Sequence, residues 1–135
     1  MPARHRDALV AAEDGQLIAT IDIHVKCLLI YPLSEWLEVE KKLQNLPSLN
    51  PSVRSLQRLM LGYASELELD GNGRILLPPS LRDYAGLDKK IVLVGQGKKF
   101  ELWGEEQWNA ETEKAIRNAN NGELEIPDEV QHLVF

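Results

Sequence analysis

Short blocks of apolar residues, separated by polar turns, predict a mixture of strands and helices. The predicted strands form two pairs, over residues 17–21 and 28–31 and over residues 91–94 and 100–102. After each pair, the pattern predicts a helix with acidic residues in its first turn, which suits the helix dipole. These residues are Glu35, after a Ser34 cap, and Glu105 and Glu106, after Gly104. Strands and helices in this order predict an α+β fold.

The second pair of strands repeats the first. Residues 27–36 align with residues 99–108 at a constant offset of 72 positions. Large apolar residues match at Leu28 and Phe100, Ile30 and Leu102, Tyr31 and Trp103, and Trp36 and Trp108. Upstream, residues 2–7 match residues 78–83 at an offset of 76, so the first copy has four more residues in between. The chain therefore has the pattern of two diverged copies of one unit.

Two helices are predicted between the copies. The apolar stripe of the first consists of Trp36, Val39, Leu43 and Leu46. The second begins at Asn50-Pro51, a cap followed by a first-turn proline, and its stripe consists of Val53, Leu56, Met60 and Tyr63. This helical hairpin is expected either to pack on the strands or to form a contact between subunits.

A glycine-rich hairpin over residues 65–77 precedes the second copy. Asp70 and Arg74 stand at the two ends of its loop, at a spacing that allows a charge-assisted bond, while Gly71, Asn72 and Gly73 suit a left-handed backbone. By itself this spacing fits an ordinary hairpin braced by an ion pair. The first copy begins at its matching proline without such a hairpin, so we expect it to be N-terminally incomplete.

The longer pattern is more specific. Residues 70–82, Asp-Gly-Asn-Gly-Arg-Ile-Leu-Leu-Pro-Pro-Ser-Leu-Arg, resemble the signature of AbrB-type DNA-binding domains. Two such units around a helical hairpin resemble the MraZ family of bacterial transcription regulators. Further similarity lies in residues 27–36, in Asn50-Pro51 followed by residues 58–62, and in residues 94–103.

This resemblance implies two AbrB-like split β-α-β units of the swapped-hairpin barrel type, joined by the helical hairpin. The expected segments are an incomplete first repeat (1–35), the connector (36–63), a second repeat (64–107), and a C-terminal helix with an acidic tail (108–135). The resemblance also implies that the protein is a repressor. Such a repressor would bind double-stranded DNA as a ring-like homo-oligomer, at repeated sites in the promoter of the cell-division and cell-wall operon. Arg74 would contact DNA, and Asp70 would hold the loop with Gly71, Asn72 and Gly73.

Composition limits the other classes of function. The net charge is −6, but residues 1–100 carry 13 Lys or Arg and 12 Asp or Glu, whereas residues 101–135 carry 2 and 9. The acidity therefore belongs to the C-terminal part, and the nearly neutral remainder is compatible with a polyanionic partner. No apolar run reaches the roughly 20 residues that a membrane span needs, and no signal peptide is recognisable. A cytoplasmic, nucleoid-associated protein is expected, and the single cysteine excludes an intrachain disulfide.

One cluster has the composition of a catalytic or metal site, namely Asp22, His24 and Cys27. Cys27 could approach the other two only if a turn folds back, and a surface histidine with a buried cysteine is the simpler interpretation. No nucleotide-binding loop or hydrolase motif occurs. We therefore expect no enzymatic activity, no small-molecule substrate and no cofactor. The alternative to a DNA-binding regulator is an AbrB-like oligomeric interaction module in which DNA binding is weakened or absent.

Two further sets of side chains could contact nucleic acid. Trp36, Trp103 and Trp108 could stack on bases, but their matched or helical positions favour packing in the core. Arg54 and Arg58 share the polar face of the second central helix, where a solvated surface is the expected role.

Overall fold

The computed structural model describes residues 16–47, 49–68, 76–88 and 90–122. In this part of the chain, five strands and four helices follow one another as β1 (Gln16–Ile21), β2 (Leu28–Pro32), α1 (Leu33–Gln44), α2 (Pro51–Gly62), β3 (Ser65–Glu68), α3 (Pro79–Ala85), β4 (Ile91–Gly95), β5 (Phe100–Gly104) and α4 (Glu105–Asn120). The predicted α+β class is confirmed.

The five strands form one antiparallel sheet in the order β3-β1-β2-β5-β4. The two predicted hairpins, β1-β2 and β4-β5, lie side by side because β2 pairs with β5. In that pairing Leu29 lies opposite Glu101, and β3 joins the other side of β1 with Glu68 opposite Gln16.

Each face of the sheet has its own apolar cluster. On one face, alternate side chains of β1, β2, β3 and β5 surround the buried Leu81 and Ala85 of α3. On the opposite face, Ile18, Leu29 and Tyr31 pack with the stripe of α1, and Leu56 and Met60 of α2 lie against them. The helical hairpin therefore packs on the sheet, which was the first of its two expected roles.

Hydrogen bonds explain where the helices begin and how they are held. The Asn50 side chain accepts bonds from the backbone N–H groups of Ser52 (2.8 Å) and Val53 (3.4 Å), so the predicted cap is confirmed. The predicted Ser34 cap is wrong. Helix α1 begins at Leu33, two residues earlier than a Ser34 cap implies, and Pro32, which forms no side-chain capping bond, occupies the capping position. The Thr20 hydroxyl donates to the Met60 carbonyl oxygen (2.6 Å) and connects α2 to the centre of the sheet.

Residues 69–75 of the hairpin predicted over residues 65–77 lie outside the described segments. Strand β3 is present, but its described partner is β1, and Leu76 and Leu77 lie outside the strands. The backbone N–H and C=O groups on the side of β3 that faces β1 therefore form hydrogen bonds with β1. Among the helices that the structure describes, none is long and apolar enough to cross a membrane.

Candidate functional site

The residues predicted to contact DNA lie outside the described part of the chain. They are Asp70, Gly71, Asn72, Gly73 and Arg74. Their proposed roles therefore stay predictions, and the site is characterised by the segments that precede and follow it.

Strand β3 leads into this loop from one end of the sheet. Leu67 lies opposite Leu17 of β1, and both side chains are buried in the same apolar cluster. The alternation of the strand leaves Glu66 exposed. Among the described strands, β3 is the outermost on its side of the sheet, so Glu68 lies at a sheet corner.

Helix α3 follows the loop and is anchored at both ends. Pro78 and Pro79 start it, and the carbonyl oxygen of Pro78 accepts a bond from the N–H of Leu81 (3.1 Å). Leu81 is 0% exposed. The helix ends at Gly86, whose left-handed backbone (φ 62°) favours glycine. The loop is therefore bounded by a strand and a helix that are each anchored in the same apolar cluster, through Leu67 and Leu81.

Tyr84 connects this helix to the β1-β2 turn. Its hydroxyl donates to the Asp22 carbonyl oxygen (2.5 Å), and the Lys26 ammonium lies 4.4 Å from the centre of its ring. The Tyr63 ring lies 6.2 Å from that of Tyr84, which brings the end of α2 into the same contact. Burial, together with the charge of Asp22, raises the pKa of the Tyr84 hydroxyl. The hydroxyl therefore keeps its proton and remains a donor at neutral pH.

The second candidate cluster is partly assembled. The β1-β2 turn folds back, so that the Asp22 N–H donates to the Cys27 carbonyl oxygen (3.1 Å) and the Cys27 thiol lies 3.9 Å from an Asp22 carboxylate oxygen. Glu101 of β5 completes a group whose three donor atoms lie within 4.8 Å of one another. His24 instead is exposed and donates only its backbone N–H to Asp22 (2.8 Å).

The environment of Cys27 makes it a poor nucleophile. Burial raises the pKa of its thiol from 9.0 to about 12, and the charges of Asp22 and Glu101 add to the effect. The thiolate is the reactive and metal-binding form, so this cysteine is neutral and inert near pH 7. A thiolate with two carboxylates could serve as a ligand set for Zn²⁺, but such binding would first have to displace the thiol proton.

Glu101 was not foreseen from the sequence. It comes from the second copy of the repeat and reaches Cys27 only because β2 pairs with β5. Its carboxylate also accepts a bond from the Trp103 indole (3.1 Å). An acidic residue between two large apolar ones in a predicted strand was the only signal available.

The remaining aromatic and basic candidates occupy the expected places. Trp36 and Trp103 are buried, and their rings lie 5.7 Å from those of Tyr31 and Trp108, respectively. Their predicted role in core packing is confirmed. Arg54 and Arg58 are both exposed on α2, in agreement with a solvated face.

Similarity to known proteins covers nearly the whole chain. A family described as "MraZ protein, putative antitoxin-like" matches residues 60–125. A protein of Halorhodospira halophila is 50% identical over 134 residues, which cover 99% of this chain and 88% of that protein. One from Pseudomonas aeruginosa is 53% identical over 138 aligned positions (100% and 89%). One from Coxiella burnetii is 48% identical over 133 residues (98% and 88%). All three carry the name Transcriptional regulator MraZ.

Proposed function

Because the chain belongs to the MraZ family, a family of transcriptional regulators and not of enzymes, we propose that it regulates transcription by binding double-stranded DNA. The resemblance seen in the sequence is thereby confirmed, as is the expectation that the protein is not an enzyme. The finer proposal is a repressor of the cell-division and cell-wall operon that acts at the nucleoid in the cytoplasm.

The DNA contact is assigned to the loop over residues 70–74. In this proposal, Arg74 reaches the DNA, Asp70 holds the loop, and Gly71, Asn72 and Gly73 supply the tight backbone. An arginine at a loop tip can donate two bonds to a guanine edge or bind a phosphate.

The observation that carries this assignment is the anchoring of both flanks of the loop. Leu67 before it is buried in the core, and Leu77 and Leu81 after it pack in the same cluster. Residues that bind a partner are commonly carried on a loop held by a rigid scaffold. Such a scaffold reduces the conformational entropy cost of binding.

One arginine in each subunit supplies little affinity, so the proposal includes a ring-like homo-oligomer. One phosphate contact contributes only about 0.9 to the slope of log affinity against log salt concentration. Several linked copies on repeated sites raise the effective affinity without any new contact.

We also propose that the chain contains two AbrB-like units of the swapped-hairpin type. The segments are an incomplete first repeat (1–35), the connector (36–63), the second repeat (64–107) and the C-terminal helix with its tail (108–135). The pairing of β2 with β5 supports this division into two related units. At the repeat offset of 72, Leu29 is equivalent to Glu101, and these two residues lie opposite each other. A pairing that matches equivalent residues is what a local two-fold axis between two copies requires. The turn between β1 and β2 has six residues, whereas the equivalent turn between β4 and β5 has four. This difference explains two of the four residues by which the first copy is longer than the second.

The test is DNA binding by the Arg74→Ala variant. The probe is a labelled fragment of the promoter upstream of the chain's own operon, and a scrambled fragment of equal length serves as the reference. We expect the affinity to fall about ten- to a hundredfold, because a hydrogen bond to a charged group contributes about 1.5–3 kcal/mol.

Arg117→Ala is the matched control, since this exposed arginine near the end of α4 has no assigned contact. It should bind like the unsubstituted chain, and light scattering should find the same particle mass for both variants. Unchanged affinity in Arg74→Ala would eliminate Arg74 as the contact. A chain that assembles but does not discriminate the two fragments would instead favour the interaction module.

A further inference from the structure

Three side chains able to bind a metal ion meet where β2 pairs with β5. The Asp22 carboxylate, the Cys27 thiol and the Glu101 carboxylate each place one donor atom within 4.8 Å of the other two. Cys27 is 0% exposed, and the two carboxylates are half-buried. No other set of three or more such side chains within the described segments comes this close together.

Strand register explains why residues so distant in the chain meet. Glu101 lies opposite Leu29, which follows Cys27 by two residues, so the alternation along the strand places Cys27 and Glu101 on one face as diagonal neighbours. The turn after β1 folds back through the bond from the Asp22 N–H to the Cys27 carbonyl oxygen (3.1 Å), which brings the Asp22 carboxylate beside the thiol. The group therefore combines the first copy of the repeat with the second.

The chemistry and the separations of the donor atoms suit a zinc ion. A thiolate beside carboxylates matches Zn²⁺, whereas Mg²⁺ and Ca²⁺ prefer oxygen ligands alone. Zinc binds thiolate sulfur at about 2.3 Å and carboxylate oxygen at about 2.1 Å, so neighbouring donors of a tetrahedral site are about 3.4–3.6 Å apart. The Cys27 sulfur already lies 3.9 Å from an Asp22 oxygen. Small side-chain rotations would close the remaining gap.

The surroundings of the group also favour a cation. No lysine or arginine of the described segments forms an ion pair within 4 Å with either carboxylate. Two carboxylates held close together without a counter-ion repel each other, and a divalent cation relieves this repulsion. From outside the group, the Trp103 indole donates to one Glu101 oxygen (3.1 Å). Such an outer bond is typical of a carboxylate that binds a metal, because it fixes the orientation of the ligand.

We propose that Asp22, Cys27 and Glu101 bind one Zn²⁺ ion, with a water molecule completing the tetrahedron. Binding forms a zinc–sulfur bond and breaks the S–H bond of Cys27, whose proton passes to the solvent, and no group is oxidised or reduced. The ion links the turn after β1 to β5, and thereby the first copy of the repeat to the second. This site does not depend on the DNA contact assigned to residues 70–74.

Two competing explanations lead to different results. In the first, Cys27 is only a small buried side chain and the carboxylates are hydrated, so the chain binds no zinc. In the second, zinc binds to exposed histidines, and His24 stands in the same turn. Its ring nitrogens are not among the three grouped donor atoms. The explanations therefore differ in which substitution removes zinc binding.

The experiment is isothermal titration calorimetry of the full, metal-free chain with zinc sulfate. We expect one ion for each chain. Cys27→Ser and Glu101→Gln should each weaken binding by more than the roughly 10–100-fold that loss of an outer partner costs. Glu101→Gln keeps the shape of the side chain and an oxygen that can accept the Trp103 bond, so it removes the ligand charge without creating a cavity. Cobalt(II) is the spectroscopic probe, because a thiolate ligand gives it a charge-transfer band in the near ultraviolet, which Cys27→Ser should lack.

Glu106→Gln and His24→Ala are the matched controls, since one removes an exposed carboxylate of α4 and the other the exposed imidazole of the turn. Both should bind zinc like the unsubstituted chain. Circular dichroism establishes that each variant is folded, and if Cys27→Ser does not fold, Glu101→Gln and the cobalt band of the unsubstituted chain decide. Absence of one-to-one zinc binding, absence of the band, or a loss in His24→Ala as large as in Glu101→Gln would overturn the proposal. None of these outcomes bears on the DNA contact, which Arg74→Ala tests separately.

Discussion

Leu81 should be the residue through which α3 is held on the sheet. Its side chain is fully buried among residues of β1, β2, β3 and β5, whereas Leu76, five positions earlier, is 85% exposed. Leu81→Ala leaves a cavity in a close-packed core, and we expect it to lower the free energy of unfolding by about 2–5 kcal/mol. Leu76→Ala removes the same atoms from a solvated position, so it should change the free energy of unfolding by no more than about 0.5 kcal/mol.

Urea denaturation followed by tryptophan fluorescence measures this difference, because Trp36 and Trp103 are buried and report on both the α1 packing and β5. All variants should be compared at one protein concentration, since assembly adds to apparent stability. With a denaturant slope of about 1–3 kcal/mol per molar urea, Leu81→Ala should move the midpoint down by on the order of 1–2 M. Equal destabilisation in the two variants, or a change below about 1 kcal/mol in Leu81→Ala, would refute the described anchoring of α3.

Two further predictions concern Cys27 and the end of α3. The thiol of Cys27 is neutral in both states below pH 9, but between pH 9 and about 12 only the unfolded chain loses the proton. Stability should therefore fall as the pH rises through that window, and it should fall more steeply than in Cys27→Ala. Parallel pH profiles of the two proteins would contradict this prediction. Gly86→Ala and Gly97→Ala should each destabilise by about 1–2 kcal/mol in thermal unfolding, because both positions have positive φ. The Cβ that alanine adds at Gly86 meets only the flexible end of the Gln107 side chain, which can rotate aside, so the two losses should be similar. Unchanged stability at either glycine would contradict the left-handed backbone there.

Most of the secondary structure was predictable because it depends on residues close together in the chain. The Asn50-Pro51 start of α2 and the strand pairs agree with the structure to within one or two residues at their ends. The Ser34 cap failed because the preceding Pro32 already has a backbone conformation from which a helix can start. A cap can be inferred from residue type, but its use depends on backbone angles that the residue type only favours.

The candidate sites were predictable to different degrees. The loop over residues 70–74 is marked by its glycines and by the spacing of its charges, all within one short segment. The approach of Cys27 to Asp22 was foreseen as a possibility that required the turn to fold back, and this turn does so. The presence of Glu101 beside them was not predictable, because it is separated from Cys27 by more than half the chain.

The sequence by itself determined the local elements, the internal repeat and the family resemblance, since these follow from periodicity, turn chemistry and motif spacing. Tertiary structure alone decided that β3 pairs with β1 and that β2 pairs with β5. Backbone hydrogen bonds between strands carry no side-chain code that a single sequence reveals, so strand order emerges only when the chain packs around its two clusters. That order placed Glu101, from the second copy of the repeat, beside Cys27 and Asp22.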